Sequence, residues 1–146
     1  METRTVNDGG RTVHIVVLAE GDEALEALTG LVRDEGVEAA QVSAVGAFAR
    51  ATVGWFDRAA KDYRRIEVDE QCEVLALTGD VALGPDGKPG LHAHVVLGLS
   101  DGTTRGGHLL EGHVWPTLEV VLDEPTTTLR KTYRPEIGLS LIDLDK

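Results

Sequence analysis

The chain has 146 residues, 25 of them acidic against 14 lysines and arginines, for a formal net charge of −11. That length suits one domain that hides about 68–70% of its unfolded surface, and the ordinary apolar share excludes a disordered chain. The acid excess opposes a duplex-binding surface, which must neutralise phosphates with Lys and Arg. No run approaches the ~20 apolar residues of a membrane helix, and the first ten residues have no apolar signal region, so the expected address is the cytoplasm. The single cysteine, Cys72, excludes a disulfide framework and reads as a buried thiol in a strand.

In chain order, residues 1–10 are expected to form a flexible N-terminus and residues 11–146 a single domain. A first strand is expected over Arg11–Ala19, with Val13, Ile15, Val16, Val17 and Leu18 supplying β-prone residues. His14 sits alone on it and reads as a satisfied or exposed histidine. Gly21-Asp22 offers an N-cap, Glu23 suits the positive end of a helix dipole, Leu25, Leu28, Leu31 and Val32 follow helical spacing, and Gly36 is placed to end the helix. Strands follow at 39–45 and 47–56 around Gly46, then a charged loop at 57–62, then strands at 63–68 and 72–83. The run Gly84-Pro85-Asp86-Gly87-Lys88-Pro89-Gly90 is a tight loop. Strands at 91–99, 103–110 and 118–122 complete the sheet, with weaker candidates at 126–133 and 139–144. A short helix near Pro116 is a further candidate. One principal helix among many strands predicts an α+β fold with a mainly antiparallel sheet.

The chemistry concentrates in residues 91–110. Leu91, Ala93, Val95 and Leu97 alternate with His92, His94, Val96 and Gly98, so the two histidines share one face of a strand. The loop Ser100-Asp101-Gly102 fits a three-residue hairpin connection with glycine in the left-handed third position. Leu99 then pairs with Thr103, which puts His94 opposite His108 and His92 on the diagonal. A two-residue turn would send His108 to the other face, so the loop length decides the site. Gly106-Gly107 would permit a bulge or the close approach of another backbone. Three imidazoles around one point suit a divalent metal, Zn²⁺ first, with Ni²⁺, Cu²⁺ or Fe²⁺ as other fits. Glu111, His113 and Glu119 are the candidates for an extra ligand or a group supporting the ligands.

These residues also carry a family resemblance. The segments Cys72-Glu73-Val74-Leu75-Ala76-Leu77-Thr78-Gly79, Leu91-His92-Ala93-His94-Val95 and Gly106-Gly107-His108-Leu109-Leu110-Glu111-Gly112 resemble the plants-and-prokaryotes-conserved (PPC) domain. The run Thr117-Leu118-Glu119-Val120-Val121-Leu122, followed by Thr132 to Ile142, is similar too. The resemblance extends over nearly the whole chain and implies an antiparallel sheet flanked by a helix, a homotrimer, and a metal on His92, His94 and His108. In plant members the domain accompanies AT-hooks in transcription regulators, and this sequence shows no hook.

Three functions follow as expectations. The first is a homotrimeric, metal-binding assembly module that could also take a small-molecule ligand. Phe48, Trp55, Phe56 and Trp115 are its candidate interface aromatics, weighed against ordinary core. The second is a metal-dependent enzyme using the open position of a three-histidine site, with Glu111 or Glu119 as general acid/base. No nucleophile elbow, His-Glu-x-x-His, phosphate loop or dinucleotide fingerprint accompanies that site. The third is a DNA-associated regulator, opposed by charge. Its only basic clusters are Arg58, Lys61, Arg64 and Arg65, and Arg130, Lys131 and Arg134.

Overall fold

The structure is a computed structural model that describes residues 1–145. Lys146, the last residue of the expected domain, lies outside the described residues. The chain runs β1 (Glu2–Asp8), β2 (Arg11–Ala19), α1 (Ala24–Asp34), β3 (Ala39–Asp57), β4 (Asp62–Val68), β5 (Cys72–Leu83), β6 (Pro89–Gly98), β7 (Thr104–Glu124), β8 (Lys131–Arg134) and β9 (Leu139–Ile142). The main sheet has the order β1-β2-β7-β6-β5-β3-β4, and its strand ladders are antiparallel. A further β3–β7 ladder closes β3, β5, β6 and β7 into a ring. The expected α+β class, with one helix against an antiparallel sheet, is what forms.

The first ten residues depart from the flexible tail expected of them. Glu2–Asp8 pairs with β2 across Gly9-Gly10, both at positive φ (58° and 92°). Two glycines in that conformation make a tight hairpin turn whose twist matches the strands it joins.

Helix α1 buries Ala24, Leu28, Leu31 and Val32, the face its spacing predicts. Its cap is Glu23, not Gly21-Asp22: the Glu23 carboxylate accepts from the backbone N–H groups of Leu25 (3.2 Å) and Glu26 (2.7 Å). The same carboxylate accepts from the N–H of Gly112 at 2.7 Å, fastening the helix start to β7. Asp22 serves the end of β2 instead, accepting from Ala19 N–H at 3.0 Å. Gly36 follows the helix at φ 69°, as expected.

Two strands are longer than their sequence pattern suggests. β3 runs unbroken through Gly46, where the ladder to β5 shifts register. A Cβ at Gly46 would stand 2.3 Å from the Thr117 carbonyl oxygen, so the crossing of β3 and β7 needs a bare backbone there. β7 continues through Pro116 with no helix. Pro116 falls where the β3–β7 register slips, a place for a residue with no N–H to donate.

Val16, Leu18, Val42, Phe48, Val53, Leu97, Leu118 and Leu122, each fully buried, belong to one continuous core. Phe48 is therefore core and no interface residue, whereas Trp55 and Trp115 are 55% and 40% exposed. On the ladders of β2, β7 and β3, Ile15, Val17, Val45 and Val121 form an exposed apolar patch that continues to Leu75. Among the described residues no helix is long and apolar enough to cross a membrane.

Candidate metal centre

The β6–β7 hairpin has the register that its loop length predicts. Leu99 N–H donates to the Thr103 carbonyl and Gly102 N–H to the Leu99 carbonyl, each at 2.9 Å. Gly102 takes φ 80°, the left-handed conformation required at the third loop position. Asp101 closes the turn by accepting from Thr103 N–H (2.9 Å) and Oγ1 (2.6 Å). His94 then pairs with His108, and the ladder runs on through Val95–Gly107 and Val96–Gly106 without a bulge. Ala93, Val95 and Leu97 turn into the core.

The three rings meet on the other face. Centroid separations are 5.0 Å for His92–His94, 5.3 Å for His92–His108 and 5.5 Å for His94–His108. One ring nitrogen from each lies within 4.8 Å of the others. Nitrogens ~2.0–2.1 Å from one tetrahedral ion stand about 3.4 Å apart, so small side-chain rotations would bring the set onto an ion.

Glycines make the room. A Cβ at Gly107 would lie 2.5 Å from the Gly54 carbonyl oxygen, which identifies β3 as the backbone that approaches closely. A Cβ at Gly54 would strike Tyr63 Cδ1 at 2.8 Å. Tyr63 fills that space and stacks on His108 with centroids 4.6 Å apart and planes at 24°.

Protonation favours ligation. Burial, followed by the neighbouring His92 and His94, pushes the His108 imidazole down to about 4. Burial and His92 likewise push His94 below its ordinary value. Both rings are therefore neutral at pH 7, with lone pairs to give. His108 Nδ1 is buried with no hydrogen-bond partner.

Two further residues organise the cluster, and neither stands out in the sequence as a site residue. Asp80 lies across the ladder from His92 on β5 and takes its Nδ1 at 2.9 Å. A proton held on Nδ1 by that carboxylate leaves Nε2 as the free lone pair, the usual way a metal-ligating histidine is oriented. Lys131, on β8, sits 2.6 Å from the other Asp80 oxygen. Burial alone would raise the Asp80 carboxyl, but the hydrogen bond from His92 and the Lys131 ammonium beside it hold it below the ordinary range. Asp80 had one visible signal, a charge in an otherwise apolar stretch of strand. Lys131 had only its place in a basic cluster, because β8 reaches the site only through tertiary structure.

The structure does not bring Glu111, His113 or Glu119 to this cluster. Farther along β7, past a register shift, Glu111 and His113 pair with Thr52 and Arg50 and line a separate pocket beside Arg50 and Glu67. There His113 Nε2 contacts Glu111 at 2.5 Å and Arg50 at 2.9 Å. Glu119 pairs with Val17 and Val45 in the exposed apolar patch. His14 is a satisfied histidine, 4% exposed, between Thr5 Oγ1 (3.1 Å) and Glu124 (2.7 Å).

A groove of about 620 Å³ opens over the three histidines, walled by Trp55, Phe56 and Tyr63 on one side and Leu139 and Leu141 of β9 on the other. This is a small antiparallel β-domain with a three-imidazole cluster on the floor of an aromatic groove.

The chain matches the model of the Plants and Prokaryotes Conserved (PCC) domain over residues 6–126, and it belongs to that family. It is similar to a plant- and prokaryote-conserved (PPC) protein of Pyrococcus horikoshii, with 29% identity and a TM-score of 0.83 over 97% of this chain and 94% of the other. It also resembles a metal-containing protein of Archaeoglobus fulgidus, with 30% identity and a TM-score of 0.81 over 97% and 96%. A curated relative, the bifunctional protein GlmU of Synechococcus sp. (strain JA-3-3Ab), is 34% identical over 93% of this chain. This chain spans only 21% of that relative's length.

Proposed function

We propose that this protein is a metal-binding assembly module in which His92, His94 and His108 hold one divalent ion, Zn²⁺ first, within a homotrimer. The observation that carries this reading is the convergence of three imidazole nitrogens within 4.8 Å of one another. The unpartnered His108 Nδ1, the neutral state of His94 and His108, and the Asp80 carboxylate behind His92 support it. So does the likeness to the archaeal metal-containing protein. An all-imidazole set suits Zn²⁺ and its borderline neighbours better than Mg²⁺ or Ca²⁺, which prefer oxygen. When bound, such an ion supplies Lewis acidity and lowers the pKa of a coordinated water to roughly 7.

The chain's own residues perform the rest. Asp80 sets the tautomer of His92 and Tyr63 braces the His108 ring. The two carboxylates nominated as general acid/base lie elsewhere in the molecule, so a binding or regulatory role fits better than catalysis. Subunit association would cover the exposed apolar patch of Ile15, Val17, Val45 and Val121.

Elemental analysis of untagged protein purified without chelator tests the site. Near-stoichiometric metal is expected in the native chain and none in the His92→Ala/His94→Ala variant. A native protein that holds no metal and takes up none would end this reading.

A further inference from the structure

The lining of the groove says what kind of ligand it accepts. The protein carries a net charge of −11, yet among the described residues no Asp or Glu lines this groove. Its polar lining comprises the three histidines and Lys131 at the floor, with Ser140 and Tyr63. Asp80 stands behind that floor and shares its single negative charge between His92 (2.9 Å) and Lys131 (2.6 Å). Lys131 has three donors, and Asp80 is the one ion-pair partner it has among the described residues. With a dication on three neutral imidazoles, Asp80 and Lys131 cancel each other and about two positive charges remain at the floor. The walls above are apolar and aromatic, and burial of the Lys131 side chain to 13% exposure strengthens its field.

From this we infer that the groove binds a small organic monocarboxylate, its anionic end at the histidine cluster and Lys131 and its apolar body between Trp55, Phe56 and Leu141. The inference rests on the metal reading proposed above. A neutral ligand would offset none of the floor's charge, whereas one carboxylate offsets about half of it. A polyanion would be opposed by the charge of the whole molecule. A volume of about 620 Å³ lies in the range of small-molecule pockets.

The test uses the full chain loaded with Co²⁺, whose visible absorption reports its coordination, titrated with phenylacetate, phenylacetamide and acetate. Phenylacetate is expected to shift the Co²⁺ bands and to bind at least tenfold more tightly than phenylacetamide, which lacks the charge, or acetate, which lacks the body. Lys131→Met, assayed at Co²⁺ concentrations that saturate its histidines, should lose most of the preference for acid over amide, and Lys131→Arg should restore it. Stoichiometric Co²⁺ uptake with equal binding of acid and amide would overturn this inference while leaving the metal site standing. The inference would fall in the same way if no probe bound, or if Lys131→Met kept the full preference. Failure to take up Co²⁺ would overturn the metal reading and this inference with it.

Discussion

Asp80 is the residue on which the centre's geometry turns. Its carboxylate contacts His92 on one oxygen and Lys131 on the other, and so joins a strand ligand to a distant hairpin through one side chain. Asp80→Asn keeps the shape and removes the charge. Loss of such a supporting partner typically costs 10–100-fold in metal affinity, and a chelator-competition titration should show a decrease in that range without loss of folded protein. The histidines predict an acid response of the metal-free protein as well. His108 is lowered to about 4 when folded, against an ordinary value of 6.5. Between those two pH values the unfolded chain holds more protons than the folded one, so stability falls as pH falls through that window. Thermal melts of apo protein should lose Tm from about pH 6.5 down to about 4, and His108→Ala should flatten that part of the profile.

The β6–β7 hairpin was legible because its two determinants are local. Alternation put His92 and His94 on one face, and a three-residue loop ending in Gly102 fixed which residue faces His94. Gly102→Ala forces a side chain into the left-handed region at φ 80°; the cost is about 1–2 kcal/mol, measured as a lower urea midpoint. Because a slipped register would turn His108 away, the same variant should bind metal less tightly. Asp80 was not legible in this way. Its pairing with His92 depends on a loop with three glycines and two prolines, whose path sequence rules do not define. The extra-ligand candidates failed for a different reason: nearness in sequence does not set position along a strand, and past the bulge at Leu110 the β3–β7 ladder places Glu111 and His113 beside Thr52 and Arg50. β1 was missed although its Gly9-Gly10 turn stood in plain view, because seven exposed residues carry no apolar alternation.

For the molecule as a whole, charge and the apolar patch point in different directions. The basic clusters are largely answered within the chain: Arg64 pairs with Asp57, Arg65 with Glu67 and Glu111, Arg134 with Asp143, and Lys131 with Asp80. That arrangement leaves little cation to release counterions from a duplex. The patch instead favours self-association. Light scattering on eluting protein should give three times the 15.6 kDa chain mass, and Val45→Glu, which puts a charge at a residue 55% exposed in the isolated chain, should lower it toward the monomer. A native monomer at micromolar concentration would remove the assembly half of the proposal and leave the hairpin site intact.

The sharpest test of the centre is X-ray absorption at the metal edge of natively loaded protein. Three imidazole nitrogens at about 2.0–2.1 Å from one ion are expected, with the imidazole pattern lost in His92→Ala/His94→Ala. A first shell of sulfur, or of oxygens with one histidine or none, would contradict the three-histidine site.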